Sequence, residues 1–219
     1  MLRSAGEVVL VARIKVHNPG DRPVAKNLWK GTLAMFEKER FIEECRAALK
    51  ESHAQAAIRE LVAAAVSTPA QVVRALGEPQ RAGVEVLYRA DDLTILNLCW
   101  GPRMELKPHD HRMWAVIGIY GGREQNFFYR RGEHGLEPHG LKELQTQDTV
   151  PLGESVIHAV TNPLERITGA IHVYGGDFFA VPRSEWNPQT LEEFPYDVAG
   201  TLQAFADSNA CLQDKDLRA

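Results

Sequence analysis

Residues 108–122 read PHDHRMWAVIGIYGG. From Trp114 to Tyr120 the side chains are aromatic, β-branched or small, and Gly121–Gly122 closes the run. That pattern predicts a β-strand ended by a turn. Just before it, His109 and His111 form an H-x-H pair. In extended backbone, residues i and i+2 point to the same side. Two imidazoles placed so can share one metal ion without backbone distortion, or, flanked by Pro108 and Asp110, they can be surface residues.

Similar runs lie on both sides of this stretch. Val84–Tyr88, Leu93–Cys99, Gln125–Tyr129, Val156–Val160 and Ile167–Tyr174 are short and rich in Val, Ile and aromatics. Asp91–Asp92, Gly101–Pro102, Gly132, Gly153, Asn162–Pro163 and Gly175–Gly176 separate them. Short strands at such spacing predict a mainly β sandwich or barrel. The glycine pairs read as turns, not phosphate cradles, because neither Lys-Ser/Thr nor a strand-to-helix context follows them.

Upstream, from Ala34 to about Ala75, the period becomes helical. Phe41, Cys45, Ala48 and Leu49 share one face, and Ile58, Leu61, Val62, Ala65 and Val66 repeat the pattern. Thr68–Pro69 marks a helix start and Gly77 with Pro79 its stop, so two or three short helices are expected. In residues 1–33 the run Val8–Val16 could be a strand, and Pro19, Gly20 and Pro23 follow it. Glu7 and Arg13 interrupt this N-terminus, which makes it a weak signal peptide. After Pro188 a mixed tail is expected, with a short helix at 198–206 and a polar, frayed end.

The chain has 219 residues, 44% of them hydrophobic, and 25 basic against 29 acidic side chains give a net charge of −4. This composition excludes a wholly disordered or fibrous chain, and no basic block favours nucleic acid. No apolar run approaches the roughly 20 residues that span a bilayer. Cys45, Cys99 and Cys211 imply no disulfide framework, so a cytoplasmic setting is expected.

The histidines carry the chemistry. His158 falls in the strand run Val156–Val160, which an antiparallel barrel can bring beside the H-x-H pair. Three neutral imidazoles on one interior face would make a metal site with open positions. His158 could equally be a hydrogen-bonded core histidine. His134 and His139 read as solvated loop residues, and Cys99 and Trp100 as packing, while Trp114 could wall a pocket.

The series Asn97-Leu-Cys-Trp-Gly101, His109-Asp-His111, the strand Gly118–Gly122, His158 and His172-Val-Tyr174 resembles the thiol dioxygenases of the cupin superfamily. These are the cysteine dioxygenases and their 3-mercaptopropionate-oxidising relatives. The resemblance covers about residues 84–180, and the helical segment 34–76 looks like that family's N-terminal helices. It implies a double-stranded β-helix (cupin) barrel over 81–190, a helical segment 34–80 packed on it, an N-terminal extension 1–33 and a C-terminal tail 191–219.

The resemblance also implies roles. His109, His111 and His158 match the ligands of Fe(II). His172 and Tyr174 match an outer pair in which the phenol faces the substrate and the histidine orients it. A general cupin has a Glu four or five positions after the H-x-H, where this chain has Ala115 and Val116, so three histidines are favoured over two with a carboxylate. Ala170 stands where the family has a Ser two positions before the His. Val116 stands at the crosslinking Cys of animal enzymes, so no thioether is expected. For the substrate carboxylate, Arg89 aligns with the arginine of cysteine dioxygenases and Arg183 with that of the mercaptopropionate enzymes, and Arg112 and Arg123 stay open.

The implied activity is oxidation of a small thiol carboxylate by O2 to its sulfinate, in a monomer or small homo-oligomer with no nucleic acid or membrane partner. Two alternatives stand beside it: a cupin metalloenzyme of another reaction, and a non-catalytic cupin that binds a small ligand.

Overall fold

Among the described residues, eleven strands form two antiparallel sheets. The computed structural model describes residues 35–133 and 135–216, so the expected extension 1–33 and His134 lie outside the described residues. In chain order, helices α1 (Lys38–Ala48), α2 (Ala54–Val66) and α3 (Pro69–Leu76) precede strands β1 (Gly83–Arg89), β2 (Thr94–Trp100), β3 (Glu105–Asp110) and β4 (Ala115–Gly121). Then come β5 (Arg123–Gly132), β6 (Gly135–Gln145), β7 (Thr149–Leu152), β8 (Ile157–Thr161), β9 (Thr168–Tyr174), β10 (Ser184–Trp186), β11 (Glu193–Pro195) and helix α4 (Val198–Asp216). One sheet has the order β1-β2-β9-β4-β7 and the other β11-β10-β3-β8-β5-β6. Their inner faces share one core, which makes the expected mainly β, double-stranded β-helix barrel with N-terminal helices.

The central strands of the first sheet, β2, β9 and β4, are covered on both faces. On β9, Ala170 and Tyr174 belong to the core between the sheets, while Ile171 and Val173 belong to the core beneath the helices. On β4, Ala115, Ile117 and Ile119 point into the barrel and Val116 and Tyr120 point to the helices. Two-sided burial explains why these strands read as nearly continuous apolar runs. Helix α2 lies close: a Cβ added at Gly118 would sit 2.4 Å from Val62 Cγ1. Gln55 Nε2 also donates to the Ala115 and Leu152 carbonyls, at 3.1 and 2.9 Å, tying α2 to β4 and β7. Thr68 precedes Pro69 at the start of α3, and Gly77 ends it with φ 88°, a conformation open to glycine.

The second sheet exposes its outer face, and this is where the sequence is least legible. β6 places Leu136 and Leu144 inside but is polar and solvated for most of its length, so His139 lies on a strand, not in a loop. β3 carries Pro108, and its register with β8 shifts between Leu106 and His109. Proline at an irregularity hides a strand from pattern reading. The C-terminal segment is a helix of 19 residues, well beyond the expected 198–206. Phe205 stacks on Trp100, and Asn209 holds both backbone groups of Ala82 at 2.7 and 2.9 Å, so α4 is docked over its middle. Among the described residues no helix is long and apolar enough to cross a membrane.

Candidate metal centre

β3 and β8 are antiparallel neighbours, and His109 is registered directly against His158. His111 follows one residue after β3. The chain turns there through Arg112 at φ 57°, a left-handed conformation uncommon for residues other than glycine. Strand register and this turn bring three ring nitrogens together. His111 Nε2 lies 3.3 Å from His109 Nε2 and 3.1 Å from His158 Nε2. The potential ligand atoms of the three residues all fall within 4.8 Å of one another, and all three side chains are buried.

The outer nitrogens fix the tautomers. His109 Nδ1–H donates to the Lys107 carbonyl at 2.9 Å, and His158 Nδ1–H donates to Asn126 Oδ1 at 2.7 Å. Asn126 cannot turn over, because its Nδ2 donates to Glu124 Oε1 at 2.9 Å. With Nδ1 protonated on both rings, each Nε2 carries a bare lone pair aimed at His111 Nε2. His111 can satisfy at most one of them, and its own Nδ1 is buried without a hydrogen-bond partner.

Burial lowers the His109 pKa to about 4 and holds His111 and His158 well below the usual imidazole range. Mutual repulsion among the rings acts in the same direction on His111 and His158. Three uncharged donors facing one point fit a divalent transition cation, and imidazole suits iron, zinc, copper or nickel better than calcium or magnesium. Among the described residues no carboxylate joins the group. Asp110, between the two histidines, instead accepts from Ser184 N at 2.8 Å and pairs with Arg112 at 2.5 Å.

The opposite wall comes from β9. His172 Nδ1 and Tyr174 Oη are 3.0 Å apart, and the Tyr174 ring meets His111 edge-on with centroids 5.1 Å apart. Burial raises the Tyr174 pKa far above the ordinary phenol value, so the hydroxyl keeps its proton. Behind His172 lies Glu124, fully buried, with Oε2 at 3.5 Å from His172 Nε2. Trp100 Nε1 also donates to Glu124 Oε2 at 2.7 Å. Burial pushes the Glu124 carboxyl up, but His172, Asn126 and Trp100 together hold it below its ordinary value. The carboxylate thus supports His158 through Asn126 and faces His172 directly.

Glu124 does not stand out as a site residue in the sequence, and Trp100 reads there as packing. The available signal was the period of two: Glu124, Asn126 and Phe128 share one face of β5, but the apolar run began after Glu124. Trp100 lines the cavity above the histidines. Trp114 does not line it; it packs with the helix-facing core and against Gly175.

The cavity measures about 300 Å3. Of the two candidate arginines, Arg183 lines it and Arg89 does not. Arg183 is held between the Phe178 and Tyr196 rings, with Cζ 4.0 and 4.1 Å from their centroids, and its Nη1 donates to the Phe178 carbonyl. Its Nε is buried without a hydrogen-bond partner, and none of the ion pairs among the described residues involves it. Phe178 and Tyr196 in turn contact His111 and His109, so a single aromatic ring separates the guanidinium from the histidine group. Arg89 makes a two-pronged pair with Asp177 at 2.9–3.1 Å on the exterior. Arg112 pairs with Asp110 and Arg123 with Glu143, both half exposed.

No protein-family model matches this chain. Among solved structures it is similar to an RmlC-like cupin family protein with a double-stranded β-helix fold from Methanocaldococcus jannaschii, at 13% identity and TM-score 0.40, over 47% of this chain and 87% of that one. It is also similar to a cupin superfamily protein from Desulfitobacterium hafniense DCB-2, at 12% identity and TM-score 0.37, over 46% and 83%. A third similar structure is the oxalate decarboxylase of Bacillus subtilis, a protein with Mn(II) centres, at 12% identity and TM-score 0.34, over 40% of this chain and 22% of that one.

Proposed function

We propose that this chain is an Fe(II)-dependent thiol dioxygenase that converts a small thiol carboxylate, of the cysteine or 3-mercaptopropionate type, into its sulfinate. One observation carries the reading: three uncharged imidazoles converge with no carboxylate among the described residues, one aromatic ring away from a half-buried guanidinium that has no anionic partner among those residues. The overall change is R–SH + O2 → R–SO2− + H+. The sulfur loses four electrons and O2 gains four, so no other reductant is required. Fe(II) bound by His109, His111 and His158 would supply the redox chemistry that joins O2 to a thiolate sulfur.

The chain's own residues supply the rest. Neutral ligands leave the charge of the cation uncompensated, which favours a thiolate over a thiol. Arg183 offers a fork of donors that matches a carboxylate. Because Glu124 is held as a carboxylate, His172 turns Nε2–H toward it and accepts the Tyr174 hydroxyl proton at Nδ1. The Tyr174 oxygen then presents lone pairs to the cavity. Leu96, Leu98 and Val160 give the cavity apolar walls. The reading carries with it a cytoplasmic setting, a monomer or small homo-oligomer, and no nucleic acid or membrane partner.

The test is O2 uptake by iron-loaded protein with cysteine and 3-mercaptopropionate, with sulfinate measured alongside. Uptake and sulfinate in equal amounts support the reading, and no uptake with a panel of thiol acids removes it. A second reading, a cupin metalloenzyme using Zn or Mn in hydrolysis or isomerisation, is favoured by the buried Glu124 beside His172, a group suited to proton transfer. Metal analysis of protein purified without added metal separates the two.

A further inference from the structure

The cavity is polar chiefly at one end; Thr201 also lines it from α4, with its hydroxyl donated to Tyr196 Oη at 2.9 Å. The histidines, Tyr174, Tyr196 and Arg183 gather around the metal group, whereas Leu96, Leu98, Leu106, Val160 and Phe205 form the walls. The described residues include nine large exposed hydrophobic side chains, and four of these, Val84, Phe179, Val198 and Leu202, line this one cavity. Val198 is 57% and Leu202 59% exposed, while Leu96 at the inner end is 1% exposed. The rim is therefore apolar as well as the interior, and clustering of exposed apolar groups marks a binding surface. No Asp or Glu lines the cavity, so a substrate ammonium finds no anionic side chain there.

Size points the same way. At about 30 Å3 per water, the cavity holds roughly ten waters. Cysteine, with seven heavy atoms, leaves its outer part as water against hydrocarbon. Pockets with few polar groups and a largely apolar wall fit ligands that bury apolar surface.

We infer that the acid held here lacks an α-amino group and carries an apolar chain or ring that runs from the Arg183–histidine end along Leu96 and Leu98 to the Val84–Val198–Leu202 rim. Under the proposed function, on which this rests for the thiol, the substrate is a mercapto acid with an apolar substituent. Helix α4 then acts as the specificity element, since it supplies Val198, Leu202 and Phe205.

The experiment has two arms. Calorimetry on the whole protein measures the binding of straight-chain carboxylates from acetate to decanoate. Affinity is expected to rise up to about fourfold per methylene, then level off once the chain passes the rim. Leu202→Asp, at an exposed site, is expected to flatten that rise, and Leu202→Met to restore it, with unchanged melting temperatures for both. Affinity independent of chain length, or a Leu202→Asp slope equal to that of the native protein, overturns the inference. The second arm compares sulfinate formation from cysteine, 3-mercaptopropionate and 2-hexyl-3-mercaptopropionate by iron-loaded protein. The hexyl acid is expected to have the highest kcat/KM. A length-dependent affinity without sulfinate from any thiol keeps the inference and removes the dioxygenase reading. Sulfinate from cysteine at least as fast as from the hexyl acid keeps the dioxygenase and overturns the inference.

Discussion

His109 and His158 stand opposite each other on antiparallel strands, and each turns its Nδ1–H onto a fixed acceptor, the Lys107 carbonyl and Asn126 Oδ1. Their Nε2 lone pairs are thereby pre-set toward His111. The histidine group is organised by backbone register and by hydrogen bonds behind the rings.

This arrangement makes metal-free stability depend on pH. His109 is held neutral, with a folded pKa of about 4 against about 6.5 in the unfolded chain. The unfolded state therefore binds more protons between those values, and stability rises with pH across that window. His111 and His158 act in the same sense. The expected gain from pH 4.5 to 6.5 is about 2–3 kcal/mol from His109 alone. Urea unfolding of metal-free protein at several pH values measures it, and a flat profile across the window contradicts the burial argument.

Glu124 gives the second prediction. Replacement by Gln keeps the volume but sets an amide N–H against one of the donors on Trp100 or Asn126. A loss of about 2–4 kcal/mol is expected in chemical denaturation. Metal affinity is expected to fall about 10- to 100-fold, because Asn126 no longer holds His158. Titration with Co(II) reports this directly, and unchanged affinity would show that the network does not support the ligand.

The two arginines are predicted to behave oppositely. Arg183→Met removes a half-buried cation that has no ion-pair partner among the described residues, so stability is expected to stay level while KM for a carboxylate substrate rises about 100-fold. Arg89→Met breaks its exterior pair with Asp177 and its contact with the Phe179 ring, and should leave KM unchanged. Steady-state kinetics of both variants decide the assignment; the reverse pattern would transfer the carboxylate to Arg89.

Gly118 tests the seat of α2. A valine there would force its side chain into Val62 and Val66, with the Cβ alone 2.4 Å from Val62 Cγ1. The expected cost is about 1–3 kcal/mol, seen as a lower melting temperature, because packed interiors resist added volume. A variant as stable as the native protein would mean that the helix layer shifts freely over β4.

The central strands of the first sheet are readable because both of their faces are buried, so Ile117, Ile171 and their neighbours carry the strand signal without help from context. The histidine trio was readable as spacing and resemblance. β6 was not, since solvent covers one side and nothing requires apolar residues there. β3 was hidden by Pro108, and the length of α4 by a polar sequence whose anchors, Phe205 and Asn209, make sense only against Trp100 and Ala82.

By itself, then, the amino-acid order determined the strand and helix classes of the buried elements and nominated His109, His111, His158, His172 and Tyr174. Only the tertiary structure decided which arginine faces the histidines, that Glu124 stands behind them, and that α4 lines the cavity. The physical reason is range. Alternation and period are local properties of the chain, whereas Arg183 meets Tyr196, and Glu124 meets His172, only because separate strands are brought into register by burial of the core between them.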